Sequence, residues 1–280
     1  MHALPVWLTI EDAIRFVWSE RRDFVALATL PVVVLAILAV VLDIFLPSSD
    51  AELRQLAEGE TEAAFPALTL GQSAAVLVNA VASIALYATF AVAWYRKLLV
   101  PGESTTVGAA LRWGRKQTRF LVLWLLVSVL ASLPVMLVAL MTALAATPGA
   151  LAFSPPLLIG ALAGGFYVYG RIVPVLPAAA VDRSLGIPAC WQLTKGKGWR
   201  LLAITILPLV PVLFLQFVIT TSYWSLATAL GFAPSLSATF VAALIQQATT
   251  YIGVALTVAA LSLAYRNLTA GGPPRVNLTV

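Results

Sequence analysis

One positively charged residue lies deep in an apolar part of the chain. Residues 120–170 contain no Lys, Arg, Asp or Glu, and Arg171 follows them directly. A charge at membrane depth costs roughly 2.5–3.5 kcal/mol on insertion scales and marks a functional site by default. A guanidinium offers donors to a carboxylate, a phosphate or a helix-end carbonyl group. Arg171 is therefore the first candidate site residue.

Three interpretations of Arg171 follow from its neighbours. Its side chain can extend to the headgroups, because Pro174 and Pro177 predict that the helix breaks or kinks at this end. It can instead bind helix-end carbonyls or an acid near the same boundary, namely Asp182, Asp12 or Glu20. It can also bind a lipid phosphate or another anion in a cleft. The sequence leaves all three open.

The sequence contains no pattern typical of a catalytic or metal site. It has no paired intramembrane carboxylates, no Ser-His or Cys-His set, no phosphate-binding loop and no metal-ligand spacing. Its one cysteine is Cys190 and its one histidine is His2. Gly196 is better explained as a helix C-cap than as part of a phosphate loop. We therefore expect a protein that is not an enzyme and has no cofactor.

The composition predicts an integral membrane protein. Hydrophobic residues make up 61% of the chain and charged residues only 10%, against roughly 25% charged residues in soluble domains. Apolar runs of about 20 residues predict an all-α fold with six transmembrane helices. The predicted spans are 24–46, 74–95, 120–144, 157–181, 201–219 and 240–265. We expect one domain over residues 1–270 and a disordered cytoplasmic tail from 271.

The distribution of charge predicts the orientation. Fifteen of the 17 Lys and Arg residues fall before span one, between spans two and three, between spans four and five, and after span six. Cytoplasmic segments carry such an excess of bases. Both termini are therefore expected in the cytoplasm, with the acidic loop 47–70 on the opposite side.

Three segments on the basic side predict interfacial amphipathic helices. The first has apolar residues at helical spacing after Thr9, a possible N-cap: Ile10, Ala13, Ile14, Val17 and Trp18. It fits a helix lying on the membrane surface and equally a helix packed on its own bundle. Thr106–Arg119 and Ser184–Trp199 repeat its pattern of a hydroxyl residue, an aromatic residue and two following spans. The pattern indicates a threefold parallel repeat of a surface helix and a membrane hairpin.

Basic and aromatic residues on the same side form a candidate lipid-binding surface. Each base near an anionic membrane contributes roughly 1 kcal/mol. The candidate lipid- or anion-binding residues are Arg171, Lys195, Lys197, Arg200, Arg112, Arg115, Lys116 and Arg119. The candidate interfacial anchors are Trp18, Trp113, Trp191 and Trp199, and Trp94–Lys97 has the pattern of an aromatic belt followed by bases.

The fourth span contains a GxxxG pair, Gly160 and Gly164. Small residues at this spacing let helix backbones approach closely in lipid. The pair therefore predicts close helix packing on this span.

Part of the chain resembles a family. The similarity covers about 35 residues and involves Arg171, Pro177-Ala178, Ser184, Trp191–Gly196 and Trp199-Arg200. This pattern is similar to that of YciC-like bacterial membrane proteins and of the membrane domain fused to some glycerophosphodiester phosphodiesterases. The resemblance implies the membrane fold and the bacterial inner membrane. The phosphodiesterase domain with its metal ligands is not in this sequence, and Asp182 alone matches the acidic position, so hydrolysis is not implied.

Two hypotheses of different kinds follow. The first is a non-catalytic inner-membrane protein that contacts anionic lipid or a partner membrane protein, with no nucleic acid involved. The alternative is a small transporter or lipid-handling protein that uses Arg171 in a polar path.

Overall fold

A computed structural model describes residues 5–45, 69–100, 102, 108, 112–145, 148–183, 185–232 and 235–270. The regular structure in these ranges is helical throughout, so the predicted all-α fold is confirmed. The helices are α1 (Val6–Ser19), α2 (Arg21–Phe45), α3 (Leu70–Leu99), α4 (Arg115–Ala145), α5 (Pro148–Ile172), α6 (Val175–Ala180), α7 (Ile187–Leu193), α8 (Gly198–Ile206), α9 (Leu209–Ala229) and α10 (Leu236–Ala270).

Six of these segments are long and apolar enough to cross a membrane. They are α2, α3, α4, α5 with α6, α8 with α9, and α10. The prediction of six spans is confirmed, and the chain is a multi-pass membrane protein. The helices extend beyond the predicted spans, because hydropathy follows the lipid core whereas a helix continues through the headgroup layer.

Helix extends into two connections that the predicted spans leave open, 145–156 and 220–239. In the first, Pro155 and Pro156 lie inside α5, because a membrane helix tolerates proline when neighbouring groups satisfy the freed carbonyls. Most of the second is helix, since α9 continues to Ala229 and α10 begins at Leu236.

Prolines interrupt two of the spans. The fourth span turns at Val173-Pro174 between α5 and α6, as the prolines predict. The fifth span turns at Leu207-Pro208 between α8 and α9, which was not predicted. A proline lacks the N–H that the preceding turn needs and clashes with its carbonyl, so both breaks have the same cause.

The residues group into two compact units. Unit 1 comprises Met1–Phe24, Ala88–Pro211 and Gly253–Val280, and unit 2 comprises Val25–Tyr87 and Val212–Ile252. All the candidate site residues named above belong to unit 1. In unit 2, Thr239 Oγ1 donates to Asp43 Oδ2 at 3.4 Å. A groove of about 260 Å³ in the same unit is lined mainly by apolar side chains of α9 and α10.

Trp94 belongs to the core of unit 1, not to an aromatic belt. It is fully buried and makes edge contacts with the rings of Phe16 and Phe24 and a stacked contact with Phe90. Its Nε1 donates to the carbonyl oxygen of Ala255 at 3.1 Å. Trp94 therefore does not serve as an outward-facing belt residue, because its ring and its N–H both have partners inside the protein.

Helix α1 packs on the rest of unit 1. Ala13 is fully buried in a cluster with residues of α8 and α10, where Ala259 and Ala264 let the helices approach closely. Thr9 is not an N-cap: the helix begins at Val6, and Thr9 Oγ1 donates to Pro5 O at 2.8 Å. The alternative of a helix packed on its own bundle is thus confirmed for one face of α1.

Close helix packing occurs at Gly165, the residue directly after the predicted GxxxG pair. A β-carbon on Gly160 or Gly164 would meet no described heavy atom within 4 Å. A β-carbon on Gly165 would instead clash with the carbonyl oxygen of Ala131 on α4. Among the described residues nothing packs against Gly160 or Gly164, because α5 presents another face to α4. The packing role of the pair stays a prediction.

Several predictions concern residues outside the described ranges. These are nearly all of the acidic loop 47–70, the tail from residue 271 and five residues of the surface helix predicted over Thr106–Arg119, namely 106, 107 and 109–111. The third predicted surface helix is present only as the short α7. The threefold repeat stays a prediction.

Candidate functional site

Arg171 lies in the last turn of α5 and is only 5% exposed. Its Nε donates to Thr194 Oγ1 at 3.0 Å, and its Nη1 donates to Tyr167 Oη at 2.9 Å. Its Nη2 donates to the carbonyl oxygen of Trp191 at the end of α7. The guanidinium therefore joins α5 to the segment that follows α7.

The break at Pro174 explains why polar groups gather here. Pro174 has no N–H, so the carbonyls that precede it lose their usual helical partner. Thr194 Oγ1 lies 2.9 Å from Arg171 O, and Cys190 Sγ lies 3.4 Å from the same oxygen. Residues of α7 and its C-cap thus satisfy the carbonyl end of α5.

The Arg171 charge is stabilised without an acid. None of its hydrogen bonds to described residues involves a carboxylate. The end of α7 carries unpaired carbonyls and a partial negative charge, which favour a cation. The guanidinium also lies 4.2 Å from the ring centroid of Trp191 and 5.7 Å from that of Tyr167, where aromatic faces attract a cation.

Of the three interpretations of Arg171, these contacts favour binding to helix-end carbonyls. Two of the three candidate acids are engaged elsewhere: Asp182 pairs with Arg96, and Glu20 pairs with Lys97. None of the hydrogen bonds of Arg171 to described residues involves the third, Asp12. Because the guanidinium is buried and hydrogen-bonded within the chain, Arg171 belongs to the helix break and not to an exposed lipid-binding surface.

Two glycines let α5 and α8 meet beside this network. A β-carbon on Gly198 would lie 2.8 Å from Arg171 Cδ and 3.1 Å from Tyr167 Cε2. A β-carbon on Gly170 would clash with the carbonyl oxygen of Gly198. Sequence reasoning missed this crossing, although Gly170 directly precedes the one charge in its span.

Cys190 is a structural thiol. It is fully buried, and burial raises the pKa of the thiol to about 12. A thiol with such a pKa stays protonated at neutral pH and is a poor nucleophile. Within the described ranges, no three His, Cys, Asp or Glu side chains lie close enough to hold a metal ion.

The loop after α6 is held by three cations. Arg96 Nη1 donates to Ala180 O at 3.1 Å and to Asp182 Oδ2 at 3.2 Å. Lys116 Nζ lies 3.5 Å from Asp182 Oδ2, and Arg119 Nη2 donates to Arg183 O at 3.2 Å. These contacts bring the start of α4 against the loop and use two of the bases predicted to bind lipid.

The remaining bases of the predicted set do not hold the loop after α6. Their side chains form no ion pair or hydrogen bond with any residue that the structure describes, and all but that of the half-buried Lys197 are exposed. They are Arg112, Arg115, Lys195, Lys197 and Arg200, and we call them the cationic surface. The eight predicted residues therefore fall into three groups. Arg171 is buried, Lys116 and Arg119 contact the loop after α6, and the other five form the cationic surface.

The four predicted anchors are all exposed: Trp18, Trp113, Trp191 and Trp199. Trp113 Nε1 donates to Thr118 Oγ1 at 3.0 Å. Trp191 and Trp199 also contact the ring of Tyr167, at centroid distances of 6.3 and 5.7 Å. Trp191 thus has a second, structural role beside Arg171.

No protein-family model, curated protein or solved structure matches this chain. The resemblance to the YciC-like proteins stays a prediction.

Proposed function

We propose that this protein is a non-catalytic protein of the bacterial inner membrane whose cationic surface holds anionic lipid headgroups. The observation that carries the proposal is that the five bases of this surface have no partner among the described residues. Other bases of unit 1 are already neutralised, as Lys97 is by Glu20 and Asp23. Unpaired bases are the ones that retain their attraction for an external anion.

The two segments that carry the cationic surface are each anchored to the fold. Lys116 directly follows Arg115 and contacts Asp182, and Arg119, one turn further on, contacts the backbone of Arg183. The Arg171 network fixes Thr194, which directly precedes Lys195. Charges on such anchored segments need little further ordering when they bind, which lowers the entropic cost of holding a headgroup.

The electrostatic attraction expected from the five bases favours a lipid layer as the ligand. At roughly 1 kcal/mol per base, the five bases together supply enough attraction to concentrate anionic lipid beside the protein. The exposed rings of Trp113 and Trp199 stand next to these bases in the sequence. Indole rings favour the headgroup level of a membrane, so the same surface offers both components that an anionic lipid layer recognises.

The same distribution of charge supports the proposed orientation, with both termini in the cytoplasm. Reporter fusions at Glu58 and at Lys116 test it directly. We expect a periplasmic signal at Glu58 and a cytoplasmic signal at Lys116. Signals from the same compartment would contradict the orientation and, with it, the side on which the cationic surface lies.

The experiment for lipid binding is native mass spectrometry. The full chain is released from nanodiscs of phosphatidylethanolamine and phosphatidylglycerol, and the retained lipid is counted. We expect phosphatidylglycerol on the native protein and a loss when all five surface bases are changed to Gln. The matched control is Lys116→Gln with Arg119→Gln, which removes charge from the same segment but not from the cationic surface.

Two results would overturn the proposal. One is equal retention of both lipids by the native protein. The other is unchanged phosphatidylglycerol retention after the fivefold substitution. A co-purifying membrane protein lost on that substitution would show that an acidic partner, not lipid, occupies the surface.

A further inference from the structure

Helix α1 uses only one side to contact the protein. Thr9, Ile10 and Ala13 are buried, and Phe16 and Val17 pack against the core of unit 1. This docking is part of the fold, because α1 lies against α8. The orientation of α1 around its own axis is therefore fixed.

The opposite side of α1 exposes large apolar residues. The exposed fractions are 75% for Trp7, 60% for Leu8, 49% for Ile14 and 72% for Trp18. A helix that is already docked by an apolar face would normally present polar residues to water. Two almost uncovered Trp side chains on such a helix therefore need an apolar environment outside the protein.

Helical geometry separates this exposed side into two strips. At about 100° per residue, Trp7, Ile14 and Trp18 lie within about 40° of one another, next to Ile10. Counted the same way, Glu11 lies about 20° beyond Trp18 and Arg15 about 60° beyond it, and the two form an ion pair at 2.5 Å. Apart from Leu8, the helix thus has three sides: a protein side, an aromatic strip and a charged strip.

The position of α1 in the chain identifies what covers the aromatic strip. Glu20 alone separates α1 from α2, and the first membrane span begins at Arg21. The end of α1 therefore lies at the membrane boundary. Arg21 lies 5.6 Å from the ring centroid of Trp18, and Arg22 is exposed beside it. Bases around an aromatic strip match the charge and polarity of a lipid headgroup layer.

We infer that α1 is a three-sided interfacial helix whose aromatic strip, Trp7, Ile14 and Trp18, inserts at the boundary between headgroups and acyl chains. Its protein side packs on unit 1, and its charged strip faces water. This anchoring follows from apolar burial and does not depend on a preference of the cationic surface for anionic lipid.

Site-directed spin labelling tests the inference on the full chain in nanodiscs. Cysteines are introduced one at a time as Trp7→Cys, Ile14→Cys and Trp18→Cys. The matched controls are Glu11→Cys and Arg15→Cys on the charged strip. The native Cys190 is fully buried, and the unsubstituted chain serves as the blank for labelling.

Collision rates of the label with oxygen and with a water-soluble nickel chelate give the result. Oxygen concentrates in lipid, so we expect oxygen to dominate at positions 7, 14 and 18 and the chelate to dominate at 11 and 15. Chelate dominance at the first three positions would overturn the inference. Exclusion of both reagents there would also overturn it, by showing that a protein covers the strip.

Nanodiscs of phosphatidylcholine alone separate this inference from the proposed function. We expect the same pattern of collision rates in this neutral lipid, because the strip is apolar. If the pattern holds while phosphatidylglycerol retention fails, the proposed function falls and the inference stands. If phosphatidylglycerol retention holds while the pattern of collision rates fails, the inference falls and the proposed function stands.

Discussion

Arg171 and Thr194 contact each other at two points. Arg171 Nε donates to Thr194 Oγ1 at 3.0 Å, and the same hydroxyl oxygen lies 2.9 Å from the carbonyl oxygen of Arg171. Both residues are buried. One threonine hydroxyl thus contacts both the side chain and the backbone carbonyl of a residue in the last turn of α5.

Thr194→Val should destabilise the protein. Valine keeps the shape of threonine but removes the hydroxyl, which leaves buried polar groups of Arg171 without this partner. An unsatisfied buried group costs about 1–3 kcal/mol. The measurement is the thermal unfolding midpoint in detergent, followed by Trp fluorescence.

Thr194→Ser is the control for this prediction. Serine keeps the hydroxyl and loses one methyl group, which costs about 0.8 kcal/mol. We expect its midpoint to fall less than that of Thr194→Val. The same loss in both variants would show that packing, not the contact with Arg171, determines the role of Thr194.

Gly198→Ala should also destabilise the protein, through overpacking. The new β-carbon would lie 2.8 Å from Arg171 Cδ, and hydrogen bonds to Thr194, Tyr167 and Trp191 hold that side chain in place. Forcing extra volume into a packed site costs about 1–3 kcal/mol. The midpoint of thermal unfolding measures the change.

Gly160→Ala is the matched control, because no described atom lies within 4 Å of the added carbon. Alanine in a helix interior is favoured over glycine by roughly 0.5–1 kcal/mol. We expect an unchanged or higher midpoint. A large loss at residue 160 would mean that the GxxxG pair does pack against a helix, such as one from a second copy of the chain.

At Asp182 the backbone conformation should matter more than the charge. Asp182 has a φ of 60°, a left-handed conformation that costs most residues about 1–2 kcal/mol but that Asn and Gly adopt readily. Its ion pair with Arg96 is half exposed, and such pairs contribute about 0–1 kcal/mol. We expect Asp182→Ala to lower the unfolding midpoint more than Asp182→Asn or Asp182→Gly.

Salt separates the two contributions at Asp182. Screening weakens the ion pair, so high salt should narrow the difference between the native protein and Asp182→Asn. It should leave the difference between Asp182→Asn and Asp182→Ala unchanged. Equal losses in the Asn and Ala variants at low salt would assign the role of Asp182 to its charge.

Cys190 should resist alkylation in the folded protein. Burial raises the pKa of the thiol to about 12 from its ordinary value of 9.0, and only the thiolate reacts quickly. We expect no maleimide labelling at pH 7.5 in mild detergent and full labelling in denaturant. Because the chain has one cysteine, rapid labelling of the folded protein would show directly that this site opens.

The same shift makes stability depend on pH in one direction. The folded pKa lies above the unfolded value, so the folded state binds more protons than the unfolded state between pH 9.0 and about 12. Stability from this group is therefore complete below pH 9.0 and is lost as the pH rises through that range. Cys190→Ala should weaken the loss of stability above pH 9.

The coarse fold could be predicted because it depends on composition. Apolar runs specify how often the chain crosses a membrane, and Pro174 together with Pro177 marks the break at the end of α5. These signals are local in the sequence. Neither requires knowledge of which residues meet in the folded protein.

The contacts within unit 1 could not be predicted, because they depend on packing between distant segments. Trp94 stands before two bases, as an interfacial residue does, yet its N–H is bonded to Ala255 on another helix. Gly160 and Gly164 match a packing motif, but α5 faces α4 with Gly165. In both cases the local pattern is compatible with two environments, and the partner decides between them.

The candidate site shows the same limit. In the sequence the eight predicted bases look alike, because all of them are cationic. In the structure one is buried, two contact a loop and five belong to the cationic surface. Asp182 lies far from Lys116 along the chain, and only the fold shows that they are neighbours. Which bases remain available for lipid therefore could not be read from charge and spacing.

The Arg171–Thr194 contact has a consequence for how the protein is made. Thr194 is synthesised 23 residues after Arg171, so Arg171 emerges from the ribosome with Tyr167 but before Trp191 and Thr194 exist. At about 5–20 residues per second the delay is roughly 1–5 seconds. During that interval the insertion machinery must hold a segment with an uncompensated cation. Its release into lipid and the completion of the following connector are therefore expected to be a single coupled step of biogenesis.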